Sequence, residues 1–267
     1  KHTMTRKAEH QGSSLVTLTY RSDIDGLRAV AVLSVVAYHA FPELLPGGFV
    51  GVDIFFVISG FLISSIILKS LKENTFSFRL FYERRIKRIF PALLLVLIFC
   101  LALGWLVLLP NEYGALGEHV AAGAGFIANV LLWTESGYFD KASELKPLLH
   151  LWSLGIEEQF YIIWPLLLAT VSKKRINPFY LLFFLFVASF VINLYLTCNS
   201  PVAAFYSPVT RFWELMLGSI LACFNLTDKS NGVDSKSDFH SFLSFFGILL
   251  IVLSVVLFKD DVQFPGW

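Results

Sequence analysis

Two ionisable side chains, Arg28 and His39, stand at either end of an otherwise apolar stretch of the chain. They are eleven residues apart, which on an α-helix is three turns plus about 20° and a rise of about 16 Å. Both side chains therefore share one face of the predicted helix, separated by about half of a roughly 30 Å hydrocarbon core. Because ionisable residues inside a membrane helix are costly, a functional role is the first hypothesis for them.

Asp53 follows a turn that contains Pro42, Gly47 and Gly48. Since proline and glycine break helices, the chain is predicted to reverse here and to return Asp53 to about the depth of His39. A carboxylate beside an imidazole can fix its tautomer and raise its basicity, as a general base requires. A structural hydrogen-bonded pair between two helices is the alternative interpretation.

A basic run around Arg85 and Arg88 precedes the third apolar stretch. The two arginines are three residues apart, so on a helix they face the same way. Guanidinium groups bind phosphate oxygens in a two-pronged geometry, which suits a phosphorylated ligand. The alternative is an ordinary basic anchor at the cytoplasmic end of a span.

Polar groups also open the apolar stretch that follows His150. His150 and Glu157 are seven residues apart and share a helix face, and Tyr161 follows Glu157 by one turn. Glu157 and Glu158 are costly in a membrane helix unless they meet a partner or a wet cavity. They could orient a sugar through its hydroxyl groups or act as acid–base groups, and carboxylates stabilised by the helix dipole are the alternative.

Arg211 and Glu214 are three residues apart in a later apolar stretch, where an internal ion pair is favoured over ligand contact. Ser59 also lies in an apolar stretch. It is disfavoured as a nucleophile because no GxSxG turn surrounds it.

Composition predicts the kind of secondary structure that carries these residues. Of the 267 residues, 56% are hydrophobic and only 15% are charged, and the mean hydropathy is +0.67; soluble domains carry roughly 25% charged residues. The sequence therefore predicts an all-α, polytopic transmembrane bundle in a lipid bilayer. The net charge of +1 gives no reason to expect nucleic acid as a partner. The predicted spans are residues 26–42, 50–70, 91–109, 152–171, 178–197, 208–224 and 241–258.

Basic residues sort the topology, because cytoplasmic loops carry the excess of Lys and Arg. They place the N-terminus, the loop near residues 69–88 and residues 173–175 in the cytoplasm. These cytoplasmic assignments agree with seven crossings if the glycine-rich residues 117–134 are re-entrant or interfacial. Eight full crossings are the alternative. Residues 1–19 are predicted to be a disordered tail or a remnant of cloning.

Several ordered motifs together resemble the acyltransferase-3 family, and most closely bacterial membrane O-acetyltransferases. The residues that carry the resemblance are Asp25-Gly26-Leu27-Arg28 with His39, the run from Gly48 to Phe61, the run from Arg84 to Pro91, and Trp152-Ser153-Leu154 with Glu157-Glu158-Gln159-Phe160-Tyr161. The resemblance extends from about Tyr20 to the last residue. Residues 20–267 are therefore predicted to form one acyltransferase-3 transmembrane domain.

The resemblance implies an enzyme of the bacterial inner (plasma) membrane that moves an acetyl group from cytoplasmic acetyl-CoA to a hydroxyl group of a cell-surface carbohydrate. The acceptor would be O-antigen lipopolysaccharide, exopolysaccharide, peptidoglycan or a lipid-linked sugar. No metal site is predicted. The predicted site has three parts: catalytic residues His39, Asp53, Glu157 and Glu158; donor-binding residues Arg28, Arg85 and Arg88; and substrate-binding residues His150, Tyr161 and Arg211.

Family members usually have about ten spans, so the chain is expected to lack the last two or three. Related proteins often continue into an SGNH-hydrolase-like domain, which these 267 residues do not contain. Direct transfer and an acyl-enzyme relay both stay open. Two alternatives of other classes are a transporter of acyl groups or lipid-linked sugars that performs no chemistry, and a scaffold subunit.

Overall fold

In a computed structural model of the chain, the described residues are 21–136, 146–174, 176–230 and 237–258, without the side chains of 227–230 and 237–240. The predicted tail at 1–19 lies outside them. The described residues form helices and connecting turns and contain no β-strand, so the all-α prediction is confirmed. The α-helices are α1 (Ser22–Ala40), α2 (Gly51–Lys72), α3 (Phe78–Val107), α4 (Pro110–Ala124), α5 (Ala128–Glu135), α6 (Leu151–Lys173), α7 (Pro178–Asn199), α8 (Pro201–Tyr206), α9 (Pro208–Ser230) and α10 (Ser237–Leu257).

Four of the described helical segments are long and apolar enough to cross a membrane. They are Gly48–Lys72, Phe78–Val107, Leu151–Lys173 and Pro178–Asn199, and Ser241–Leu257 is a shorter apolar helix. Helices α1 and α9 carry ionisable residues inside their apolar sequences, which lowers their hydropathy. The chain is thus a helical membrane protein, and the count of seven to eight spans stays a prediction.

The third helix begins well before its predicted start at residue 91. Helix α3 starts at Phe78, where the Ser77 side chain accepts a hydrogen bond from the Leu80 backbone N–H, and it continues through Pro91. Proline removes one backbone hydrogen bond from a helix. Here the freed carbonyl lies in the basic, polar part of the helix, where other groups can satisfy it.

The glycine-rich segment at 117–134 forms two shorter helices, α4 and α5. They are 15 and 8 residues long and meet at Phe126, whose φ of 56° lies in the left-handed region. A 15-residue helix is only about 23 Å long, less than a hydrocarbon core. Two helices broken at this point suit the prediction of a re-entrant or interfacial segment, which itself stays a prediction.

The core is built where α2, α6 and α9 meet. Helices α2 and α9 approach so closely that a Cβ at Gly60 would collide with the Leu215 carbonyl and one at Gly218 with the Val57 carbonyl. Small residues permit this packing in membrane helices. Next to the crossing, the Trp164 indole N–H donates to the Ser64 hydroxyl at 2.7 Å, which fixes α6 on α2.

The first hairpin is not a tight reversal at the end of α1. Gly48 packs on the Ser34 carbonyl and Gly51 packs on the Ala31 carbonyl, because residues 41–50 run back along α1 before α2 begins. His39 lies eight residues beyond Ala31, a rise of about 12 Å. The prediction that Asp53 returns to the depth of His39 is therefore wrong, and Asp53 lies deeper in the bundle.

Candidate active site

Three arginines from two helices converge on α6. The guanidinium carbon of Arg85 lies 4.4 Å from the centroid of the Tyr161 ring. The charges of Arg28 and Arg85 act on both Arg88 and Glu157. The structure thus brings the three predicted donor-binding residues together, beside two residues predicted for catalysis and substrate binding. We call Arg28, Arg85 and Arg88 the arginine cluster.

Glu157 is held by hydrogen bonds from two other side chains. The Ser59 hydroxyl donates to Oε1 at 2.9 Å, and the Tyr161 hydroxyl donates to Oε2 at 3.3 Å. The Tyr161 bond follows from the predicted one-turn spacing on α6. The Ser59 bond joins residues 98 positions apart, so only the packing of α2 on α6 creates it.

The neighbouring Glu158 is 7% exposed, and its Oε1 is buried without a hydrogen-bond partner. Arg85 acts on this carboxyl electrostatically, as does Glu157. A buried acceptor without a donor is costly, so this oxygen is ready to accept a hydrogen bond from a ligand.

Arg211 sits between two carboxylates in the core. Its Nη1 lies 3.2 Å from Glu214, and its Nη2 donates to Asp53. The predicted ion pair of Arg211 with Glu214 is confirmed. The predicted pairing of Asp53 with His39 is replaced by a pairing with Arg211, since the first hairpin places Asp53 too deep to meet His39. We call Asp53, Arg211 and Glu214 the buried triad.

Aromatic rings enclose Arg211, whereas the Asp53 side chain of the triad is 27% exposed. The guanidinium carbon of Arg211 lies 5.4 Å from the centroid of Phe56 and 5.7 Å from that of Trp152. Arg211 and Glu214 are 0% and 1% exposed. An arginine so enclosed cannot reach an outside substrate, so the geometry favours a structural role over the predicted substrate contact.

His39 finds its neighbour on another helix. Its ring centroid lies 4.5 Å from that of His150, at the start of α6, and 5.1 Å from that of Tyr38. Both histidines are partly exposed. Burial lowers the pKa of His150, and the nearby His39 lowers it further. His150 can therefore present a neutral imidazole at neutral pH.

Two amides to which the sequence analysis assigned no role tie the α4–α5 segment to this site. Gln159 Nε2 donates at 2.9 Å to both the Phe126 carbonyl and Asn129 Oδ1, and Asn129 Nδ2 donates to the Tyr206 carbonyl at 3.0 Å. Asn129 is 0% exposed. In the sequence, the only sign of such a role was an amide side chain within an apolar helix. The hydrogen-bond partners of these amides are visible only in the structure.

The described side chains thus combine the arginine cluster, two carboxylates and a pair of histidines within one bundle. Among the same residues, no group of three or more His, Cys, Asp or Glu is placed to hold a metal ion. The arrangement suits a phosphorylated ligand at one end and proton transfer at the other.

The family model of the acyltransferase domain called acyltransferase-3 matches residues 21–262. The chain belongs to this family. The match covers the arginine cluster, both histidines and the buried triad. The resemblance noted from the sequence motifs is thereby confirmed.

The relatives described here are either about as long as this chain or more than twice as long. An uncharacterized protein of Haemophilus influenzae is 35% identical over 223 residues, 80% of this chain and 90% of that protein. The Bacillus subtilis protein named "Putative peptidoglycan O-acetyltransferase YrhL" is 36% identical over 255 residues, 91% of this chain and 40% of that protein. The peptidoglycan O-acetyltransferase OatA of Listeria monocytogenes is 37% identical over 210 residues, 76% of this chain and 34% of that protein. The chain thus spans well under half of the named acetyltransferases, and no solved structure gives a significant match.

Proposed function

We propose that this protein is a membrane O-acetyltransferase that moves an acetyl group from cytoplasmic acetyl-CoA to a hydroxyl group of a cell-surface carbohydrate. The observation that carries the proposal is the convergence of Arg28, Arg85 and Arg88 beside Glu157 and Tyr161. Family membership supports acyl transfer, and the names of YrhL and OatA support an oxygen acceptor.

The arginine cluster would bind the phosphates of acetyl-CoA. Arg85 and Arg88 lie on one face of α3 and repel one another electrostatically. Bringing like charges together costs free energy, which a phosphate group repays by forming charge-assisted hydrogen bonds. The basic loop that precedes α3 supports a cytoplasmic position for this end, since positive residues favour that side.

His39 would act as the general base on the acceptor hydroxyl. It lies a rise of about 16 Å along α1 from Arg28, so the pantetheine arm must span this distance to bring the thioester to the imidazole. The base would take the hydroxyl proton as the oxygen attacks the thioester carbonyl, and the thiol of CoA would leave. His150 lies in ring contact with His39 and would position it.

The two glutamates would lie along the path between these ends. Glu157 is fixed by Ser59 and Tyr161, so its orientation is set before any ligand arrives. The free Oε1 of Glu158 would accept a hydrogen bond from a polar group of the bound donor. The buried triad would hold α2 and α9 together and take no direct part in the reaction.

Peptidoglycan is the acceptor that the relatives favour over O-antigen or lipopolysaccharide, because YrhL and OatA are named for it. On this proposal the acceptor approaches from the outer side, and His39 and His150, which are not buried, would face it. The N-terminus would be cytoplasmic, and the membrane would be the bacterial inner (plasma) membrane.

Proteoliposomes supplied with radiolabelled acetyl-CoA and a peptidoglycan fragment test the proposal. We expect the label to appear covalently on the glycan, with release of one CoA thiol for each acetyl group. His39→Ala should lower the rate by about 100-fold or more, the usual contribution of a general base. A transporter without chemistry would release no thiol.

The matched control is His119→Gln, since His119 is bound to Glu135 on α5 and takes no part in the proposed chemistry. This variant should keep most of the activity. Full activity of His39→Ala in correctly folded protein would refute the assignment of the base. Absence of any transfer by the unmodified protein, with several acceptors, would refute the proposed reaction.

A further inference from the structure

A cavity lies between α2, α7 and α9, apart from the arginine cluster and the histidine pair. Its volume is about 460 Å³, within the range of roughly 300–1,000 Å³ that is usual for small-molecule sites. It lies where α2 ends, α7 begins and α9 makes its last turns. Its lining includes Leu68, Lys72, Asn177, Phe179, Cys223 and Phe224.

The walls of the cavity are apolar. Leu68, Phe179 and Cys223 pack against the main hydrophobic core, and the rings of Phe179 and Phe224 lie 5.5 Å apart. Phe224 is 51% exposed, so this apolar wall of the cavity lies partly at the protein surface. Aliphatic and aromatic walls of this kind match a hydrocarbon chain, which can enter from the bilayer without leaving an apolar environment.

The polar groups of the cavity lie at its mouth and carry positive charge. Lys72 is exposed in the last turn of α2, and Asn177 caps the start of α7. Exposed Lys173 and Lys174 end α6, three to four residues before Asn177, whereas Glu73 is the acidic neighbour of Lys72. The net charge of these residues at the mouth is positive. The mouth lies on the side of the protein that the basic residues assign to the cytoplasm. Anionic lipids are concentrated in that leaflet.

We propose that this cavity binds one anionic phospholipid of the cytoplasmic leaflet, with an acyl chain between the apolar walls and the phosphate beside Lys72. The lipid would fill the gap between α2, α7 and α9 and link the end of α2 to the start of α7. The proposal does not depend on the proposed acetyl transfer, and its test measures binding alone.

The test is native mass spectrometry of the detergent-purified protein, titrated with phosphatidylglycerol or phosphatidylcholine of the same chain length. We expect one phosphatidylglycerol to remain bound at concentrations where phosphatidylcholine dissociates. Lys72→Gln should weaken phosphatidylglycerol binding about five-fold, which corresponds to the contribution of one lysine near an anionic membrane surface. It should leave phosphatidylcholine binding unchanged.

Two further variants keep the test decisive. Lys87→Gln removes the same charge from α3, outside the cavity lining, and should bind phosphatidylglycerol as the unmodified protein does. Cys223→Phe fills the apolar part of the cavity and should reduce retention of both lipids, and Leu68→Phe is the substitute if that variant fails to fold.

Equal binding of the two lipids, or equal loss with Lys72→Gln and Lys87→Gln, would overturn the proposal. Displacement of the lipid by CoA at the same site would also overturn it, because the cavity would then be part of a nucleotide site. Phosphatidylglycerol binding that survives Lys72→Gln and both filling variants would place the lipid elsewhere.

Discussion

The arginine cluster and the buried triad use the same side chain in opposite ways. In the cluster, three arginines lie close together on α1 and α3, and the nearest carboxylate of an ion pair is Asp25, 3.8 Å from Arg28. In the triad, one arginine lies between Asp53 and Glu214 and is 0% exposed. Glu157 and Glu158 act electrostatically on the cluster but form no ion pair with it among the described residues, whereas the triad has two carboxylates in contact with a single guanidinium.

A binding arginine and a structural arginine in a membrane protein differ in whether a carboxylate already pairs with them. Both kinds are costly in apolar sequence, so cost alone marks a functional candidate without giving its role. The role follows from whether the charge is already neutralised by the protein. Arg211 is paired with two carboxylates and enclosed by rings, whereas Arg85 and Arg88 form no ion pair among the described residues, and for them we propose an anionic ligand.

Arg211→Met should lower the stability of the protein more than any other single change considered for these two regions. It leaves the buried Glu214 and the partly buried Asp53 without their counter-charge, and breaking a buried ion pair in this way costs about 3–5 kcal/mol. The fraction of folded protein that survives heating, measured by size-exclusion chromatography, checks this. Adding Asp53→Asn and Glu214→Gln should restore much of the loss, and Arg88→Met should cause little. Equal loss in Arg88→Met would erase the distinction between the two regions.

Arg88→Gln should chiefly affect donor binding. Loss of one charge-assisted hydrogen bond to phosphate, about 1.5 kcal/mol, raises KM for acetyl-CoA about ten-fold. Steady-state kinetics with acetyl-CoA and with acetyl-pantetheine, which lacks the phosphates, separate phosphate binding from the other contacts of the donor. The matched control Lys87→Gln removes a lysine that is paired with Glu83. It should leave the KM for acetyl-CoA and the KM for acetyl-pantetheine unchanged. An equal rise in KM for acetyl-pantetheine would contradict phosphate binding.

Tyr161 joins the cluster to Glu157 through two contacts that can be separated. Tyr161→Phe removes the hydrogen bond to Glu157, worth about 0.5–1.5 kcal/mol, and keeps the ring beneath Arg85. Tyr161→Leu also removes the cation–π contact, worth about 0.5–2 kcal/mol. Unfolding in denaturant should rank the stabilities as unmodified protein, Tyr161→Phe, then Tyr161→Leu. Identical stability of the two variants would mean that Arg85 gains nothing from the ring.

The smallest expected effect is a pH dependence at His150. Its pKa in the folded protein is lowered by burial and by His39, from an ordinary value of about 6.5. Between the two values the unfolded chain binds more protons than the folded one, so the free energy of unfolding decreases as the pH falls below about 6.5. Unfolding between pH 7 and pH 5 checks this. His150→Gln should have a shallower slope over that range, and an unchanged slope would assign the dependence to other groups.

Local spacing along single helices was predicted well. The ion pair of Arg211 with Glu214 and the contact of Glu157 with Tyr161 both join residues one turn apart, which helix geometry alone brings together. The all-α class followed from apolar runs too long and too poor in charge for a soluble domain. Helix ends were predicted less well, as α3 shows, because a proline at residue 91 resembles a helix start and is here an interior position.

Contacts between helices were not predictable from spacing. Asp53 meets Arg211 across 158 residues, and Ser59 meets Glu157 across 98. These partners depend on the course of residues 41–50 along α1 and on the crossing of α2 with α9 at Gly60 and Gly218. The sequence by itself determined which polar residues enter the membrane bundle and which of them share a helix face, since helical periodicity sets both. The pairing of Arg211 with carboxylates, and the absence of an ion pair at Arg85 and Arg88 among the described residues, became visible only in the tertiary structure, because both depend on how closely whole helices pack.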